Sequence, residues 1–225
     1  MKYLIYNDIS YLLRKKRFIL LILIIVPLII LFLSVNNSTM MYTINRCMGT
    51  DLNIRSIDII QLLSYLFHIA GFIYLIVDIY LKDLTENLEN IFLRMQPKKY
   101  IIRKNIFFVI TTIIIKIVQY LMVTTLFMII SKQSFDVKII PLAITDITYI
   151  LLLQYLFLCS YLLSILLRKN VIFLSTTIVI LITLVPKCIW GLQPYVIYMI
   201  AITILIQIMI YAIFYKYPKK ILENV

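Results

Sequence analysis

LKDLTENLENIFLRMQPKKYIIRKN, residues Leu81 to Asn105, is a charged amphipathic segment set between two long apolar runs. Its apolar positions Leu84, Leu88, Ile91, Phe92 and Met95 recur at i, i+4, i+7, i+8 and i+11, one stripe of an α-helix. Glu86, Asn87, Glu89, Asn90 and Arg94 cover most of the remaining surface. Asp83 with Glu86 three residues on reads as a capping box at the start. Pro97, which cannot continue a helix and pushes Gln96 toward extended backbone, reads as the stop. The pattern predicts a short helix over 83–95 lying outside the membrane.

The rest of the chain is far more apolar than a soluble domain. Hydrophobic residues make up 63% of the 225 positions and the mean hydropathy is +1.02, against roughly 45–50% apolar residues in ordinary globular proteins. The composition is that of an all-α integral membrane protein. A net charge of +12 raises nucleic acid as a partner, but the basic residues recur beside the apolar runs instead of forming one patch, which argues against it. With three glycines, Gly49, Gly71 and Gly191, no phosphate-cradling GxxxxGK[ST] loop can be built. Cys47, Cys159 and Cys188 lack CxxC spacing and His68 is the sole histidine, so no metal-ligand set is expected. Cys47 and Cys188 could share the outer side of the membrane, which leaves a disulfide between them open. The Ile-, Lys-, Asn- and Tyr-heavy usage looks like that of an AT-rich bacterial genome.

In chain order, residues 1–17 place Ile5, Tyr6, Ile9, Leu12 and Leu13 on one helical face and end in Arg14-Lys15-Lys16-Arg17, an amphipathic helix expected to lie flat on the inner membrane surface. Phe18 onward could be a signal peptide, but no small-residue cleavage site follows at 34–38 and further spans come after it. Residues 18–35 therefore read as the first transmembrane helix, with Pro27 marking a kink. Residues 36–58 are polar and loop-like. Residues 59–80, 106–130, 141–167, 171–185 and 195–215 are the further spans, each judged against the ~20 apolar residues that cross a ~30 Å core. Residues 186–194, with Pro186, Trp190 and Pro194, form an outer link that reads equally as a re-entrant element or as an interfacial Trp anchor. Lys and Arg crowd one side, at 14–17, 98–104, 168–169 and 216–220, while the other side holds Arg46, Arg55, Lys132, Lys138 and Lys187. The positive-inside rule puts both termini and the 83–95 helix in the cytoplasm. Matching Gly/Pro-broken helices in two halves, the mark of inverted-repeat transporters, are not seen.

Ionisable and polar residues inside the spans are the next signal, because a charge near the bilayer centre costs roughly 2.5–3.5 kcal/mol on insertion scales. Lys116 lies about 15 Å past Ile106 by the ~1.5 Å rise, close to mid-membrane. Thr112, Lys116, Gln119 and Tyr120 share a face of the third span. Gln61, Ser64, His68, Gly71, Leu75 and Asp78 form a mostly polar or small stripe on the second. Thr145, Thr148, Tyr149 and Tyr155 mark the fourth, with Asp146 near its outer end, and Thr203, Gln207 and Tyr211 the sixth. Two readings stand. Gln61, His68, Asp78, Lys116, Gln119 and Tyr155 line a substrate path, or the stripes join helix to helix, with Lys116 paired to Asp78 or Asp146 or snorkelling. His68 as a proton relay has only Asp78, ten residues on, as a carboxylate on its own helix.

Enzyme readings fare worse. An intramembrane metalloprotease needs an HExxH-like helix, and a rhomboid-type protease needs a Gly-flanked serine with a His partner. Neither is present, and Glu86 with Glu89 lacks the adjacent glutamates and second His of the CAAX-type prenyl proteases.

The layout resembles the membrane subunits of ABC exporters of the ABC-2 permease superfamily. The likeness rests on an interfacial helix at 1–17, six spans, a cytoplasmic helix between the second and third, and a Pro/Trp link before the sixth. Glu86-Asn87-Leu88-Glu89-Asn90-Ile91-Phe92-Leu93-Arg94-Met95-Gln96-Pro97, followed by Lys104, looks like that family's coupling-helix region, although the usual Gly-Thr after the glutamate is missing. The resemblance implies a permease that binds no cofactor itself. It would pair with a second copy or a sister permease and be driven by separate nucleotide-binding ATPase subunits that hold ATP and magnesium. Leu84, Glu86, Leu88, Glu89, Ile91, Phe92, Arg94 and Met95 would then dock on the ATPase, unless the stripe merely rests on lipid headgroups. A chain of this size is similar to Gram-positive peptide exporters of the lantibiotic self-protection or phenol-soluble modulin type. The alternatives are the substrate-capture subunit of an energy-coupling-factor importer and an ATPase-independent membrane immunity protein.

Overall fold

The computed structural model describes residues 2–35, 39–50, 58–82, 97–167, 198, 201–202, 204–206, 208–209 and 212. Among them every regular element is an α-helix: α1 (Lys2–Lys15), α2 (Arg17–Ser34), α3 (Met40–Met48), α4 (Ile59–Lys82), α5 (Pro97–Ser131) and α6 (Ile139–Leu167). The remaining described positions, from Tyr198 onward, are helical too. The coupling helix expected at 83–95, the span at 171–185, the link at 186–194 and much of the span at 195–215 lie outside the described residues. Two helical stretches, Arg17–Ser34 and Ile102–Ser131, are long and apolar enough to cross a membrane, and Ile59–Leu75 and Ile139–Tyr155 are shorter apolar stretches.

Two elements differ from the sequence expectation. The helix that carries residues 106–130 starts at Pro97 and has 35 residues, about 52 Å at ~1.5 Å per residue. The proline that ends one helical pattern opens the next, because at a helix's first position its missing N–H has no bond to lose. Inside the polar stretch 36–58, α3 forms a helix of its own. Thr39 caps it through the Tyr42 N–H, and Gly49 ends it in the left-handed region at φ 65°. The Thr50 N–H reaches back to the Asn45 carbonyl at 3.1 Å, the long bond of a Schellman cap. Met40, Ile44, Cys47 and Met48 are buried, a stripe at i, i+4, i+7 and i+8 short enough to be overlooked beside polar neighbours.

α3 packs against α2, α4 and α5, and α4 also touches α1, α2, α5 and α6. The interior divides into two apolar clusters. One holds Ile30, Leu31, the α3 stripe, Val123, Phe127 and Leu142; the other holds Leu23, Phe72, Leu75, Phe108, Ile115 and Leu153. Large apolar side chains cover the outside as well: Phe32 is 64% exposed and Ile114 55%, while Lys116 is 0% exposed. An apolar outer surface over an interior that also holds a buried charge is the arrangement that suits hydrocarbon as the surrounding solvent.

Two glycines set close approaches. A Cβ on Gly49 would stand 2.4 Å from the Tyr65 backbone on α4, whereas one on Gly71 would meet only the end of the Leu23 side chain, at 2.7 Å. Gly49→Ala adds left-handed backbone strain on the order of 1–3 kcal/mol to a clash with an immovable helix. It should lower the thermal unfolding midpoint in detergent well beyond Gly71→Ala; equal effects would contradict the seating of α3 on α4.

Candidate functional site

Between the two apolar clusters runs a polar layer, and its construction starts with a proline. Pro27 lies inside α2 and has no N–H, so the Leu23 carbonyl, four residues earlier, loses its intrahelical donor. Gln119 of α5 supplies the replacement: its Nε2 donates to the Leu23 oxygen at 2.7 Å. The kink expected at Pro27 is thus answered by a side chain from another helix. Because a carbonyl only accepts, the Gln119 amide must turn its NH2 that way, and its buried Oε1 has no hydrogen-bond partner among the described residues.

Lys116 and Asp146 form the charged centre. The ammonium donates to Asp146 Oδ2 at 2.8 Å, and the Tyr120 hydroxyl donates to the same oxygen at 3.1 Å. The Thr112 hydroxyl donates to Gln154 Oε1 at 3.0 Å. Eight residues forward on α5, from Thr112 to Tyr120, match eight back on α6, from Gln154 to Asp146, so the helices are antiparallel neighbours in register. Lys116 sits one turn before Tyr120, and its side chain spans that turn to reach the carboxylate. The ammonium also stands 5.1 Å from the centre of the Phe72 ring.

The neighbouring bonds tie the layer to α3 and α4. His68 Nδ1 lies 2.7 Å from the Ser64 carbonyl, which requires a proton on Nδ1; in that tautomer of the uncharged ring Nε2 is an acceptor, and it is buried and without a hydrogen-bond partner among the described residues. The Ser64 hydroxyl donates to the Cys47 carbonyl of α3. The Tyr65 and Tyr149 hydroxyls share a hydrogen bond between α4 and α6, and Gln154 Nε2 donates to the Phe72 carbonyl at 3.2 Å.

Ion pairs close both ends. At the α1 end, Lys104 Nζ meets Asp8 Oδ1 at 2.7 Å with both side chains buried, and Lys16, at the break between α1 and α2, lies 4.1 Å over the Tyr74 ring. At the α3 end, Arg46 Nη2 donates to Asp58 Oδ1 at 3.3 Å and Nη1 to the Ser34 hydroxyl at 3.3 Å. Beneath that end, burial pushes the Cys47 thiol up to about 12, opposed by the nearby Arg46 charge. Among the described residues no three His, Cys, Asp or Glu groups gather to hold a metal.

Of the residues expected to line a path, His68, Lys116, Gln119 and Tyr155 are buried in the interior, the last with its ring 5.0 Å from Phe108. Gln61 is half-buried. Asp78 lies in α4, but its side chain is outside the described ones. Lys116 joins Asp146, one of the two carboxylates the sequence left open. Gln154 and the Asp8 to Lys104 pair were not singled out by sequence reasoning. Gln154 had a usable signal, an amide two turns beyond Asp146 in an apolar run. Asp8 had a weaker one, its i, i+4, i+8 spacing with Leu12 and Lys16. Compared with known protein families, curated proteins and solved structures, the chain matches none.

Two outcomes check this geometry. Gln119→Leu strands the Leu23 carbonyl and should cost about 1–3 kcal/mol, whereas in a Pro27→Ala background, where the carbonyl regains an N–H, the same change should cost clearly less; a double-mutant cycle of unfolding free energies reads the difference. In a Cys159→Ser/Cys188→Ser background, alkylation of native Cys47 should stay slow up to pH 9 and become fast on unfolding, where the thiol returns toward 9.0. Since the folded value is the higher one, this thiol's contribution to stability is full below about pH 9 and declines as pH rises toward 12.

Proposed function

We propose that this chain is the membrane-spanning permease subunit of an ATP-driven exporter of the ABC-2 type. It sits in a bacterial cytoplasmic membrane with six spans and both termini inside, pairs with a second permease, and is moved by separate nucleotide-binding subunits that carry ATP and magnesium. Its cargo is an amphipathic, antimicrobial or cytolytic peptide. The observation that carries the reading is the buried Asp8 to Lys104 pair. Lys104 lies two turns into α5, whose first residue follows directly on the amphipathic segment 83–96. A displacement of that segment by an ATPase would pass into the base of α5 and, through the ion pair, into the interfacial helix α1. From there the α1 to α2 break can pass it to α4 through Lys16 on Tyr74. Buried charge pairs suit this task because a partner left alone in a low dielectric is strongly unfavourable, so the two helices move together.

The apolar stripe of 83–95 offers buried contact to an ATPase, and Glu86, Glu89 and Arg94 offer charge pairing that sets register. Co-purification tests the assignment: a nucleotide-binding protein should come down with the wild-type chain, and Glu86→Lys/Glu89→Lys should abolish its association and the stimulation of its ATPase activity. Intact association in the charge-reversed variant would sink the coupling role. Asp8→Asn should uncouple ATP hydrolysis from transport while association survives, and the swap Asp8→Lys/Lys104→Asp should restore much of the coupling.

A further inference from the structure

We propose that the Asp146 carboxylate is a receptor for a primary ammonium group on an amphipathic guest, occupied in the guest-free state by the tethered ammonium of Lys116. As a cargo site this rests on the exporter reading; as an ammonium site it stands on the polar layer alone.

Three observations lead there. Lys116 does not sit opposite Asp146; its side chain spans a full turn of α5 to deliver the ammonium to Oδ2, the way a tethered ligand fills a site built beside it. A second resting place is at hand, since the Phe72 ring centre is 5.1 Å from the same nitrogen and an aromatic face attracts a displaced cation. The layer also holds buried acceptors that no donor among the described residues fills. Asp146 is joined by His68 Nε2 and Gln119 Oε1, both buried and without a hydrogen-bond partner among the described residues, and His68 lies within the electrostatic reach of both Lys116 and Asp146. Gln119 follows Lys116 by three residues on the same side of α5. An R–NH3+ group brings three N–H donors to such a surround. A quaternary ammonium brings none, and an alcohol brings no charge.

The other ionisable groups that border the layer fit this assignment. Tyr120 donates to the same Asp146 oxygen and steadies the carboxylate from α5, Ser64 and His68 face it from α4, and Cys47 of α3 contributes only a carbonyl, already taken by Ser64. Among the described residues, a guest ammonium therefore competes with Lys116 for the carboxylate. That built-in competitor keeps residence short, as a transport site requires when binding must be favourable enough to enter and weak enough to leave.

The test uses the purified full chain in phosphatidylcholine nanodiscs with dodecylammonium as the probe, and dodecyltrimethylammonium and dodecanol as controls. Lys116→Met should lower the unfolding midpoint, dodecylammonium should restore it, and the probe's half-saturating concentration should fall about tenfold relative to wild type. Neither control should do so, and Lys116→Met/Asp146→Asn, which removes both charges of the pair, should lose the dodecylammonium effect. Lys116→Gln gives the same comparison if the methionine variant does not fold. Equal effects of all three amphiphiles, or no gain in affinity without Lys116, would overturn the proposal. A lost ammonium effect with ATPase association intact removes the ammonium site and leaves the exporter reading; the converse removes the exporter reading, and the cargo role with it, and leaves the ammonium site.

Discussion

The Lys116 ammonium and the Asp146 carboxylate lie 2.8 Å apart with almost no exposed surface between them, and neither charge is tolerable there without the other. Removing one partner of such a pair costs about 3–5 kcal/mol, while replacing both with apolar groups is often neutral. The pair therefore does little for net stability and much for arrangement. It fixes the rotation of α5 and α6 about their axes, since either helix turned away from the other would carry a charge into the apolar surround. Tyr120 on Asp146 and Thr112 on Gln154 then hold the register along the pair.

The same logic spreads outward from that layer through backbone groups that helices normally satisfy by themselves. Pro27 frees one carbonyl in α2, and Gln119 of α5 takes it. Ser64 of α4 takes the Cys47 carbonyl of α3, and Gln154 of α6 reaches the Phe72 carbonyl of α4. Where the surroundings are apolar on both faces of a helix, burial distinguishes poorly between rotations, and hydrogen bonds of this kind supply the discrimination. α3 matters here beyond its nine residues. It closes one end of the bundle with a Schellman cap on one side and the Arg46 to Asp58 pair on the other.

Chemistry and mechanics occupy different parts of the molecule. Among the described residues the polar layer holds the Asp146 carboxylate against the Lys116 ammonium, with the His68 imidazole and the Gln119 amide oxygen beside them. The α1 end holds the Asp8 to Lys104 pair and Lys16 on Tyr74, which join the chain's first two helices to α5 and α4. α5 runs from that end into the layer, and Lys104, Thr112, Lys116 and Gln119 all lie on it.

The sequence by itself determined the helical class, the boundaries of α2 to within a residue or so, and the polar stripes on α4 and α5, because hydropathy and 3.6-residue periodicity are properties of one segment at a time. It also identified Lys116 as a charge in need of a partner. It could not choose between Asp78 and Asp146, since depth along a helix says nothing about which neighbour a face meets. An acid on an amphipathic helix reads as polar surface, so Asp8 gave little sign of a buried partner; only the packing of α1 beside the start of α5 turns that acid inward to Lys104. Likewise Thr39 and Gly49 carried the capping signals of α3, yet a nine-residue helix is too short to stand without the α2, α4 and α5 surfaces that bury its stripe. Tertiary structure decided the partners because each of these pairings joins residues on different helices, and the energy of a buried polar group depends on what lies across from it.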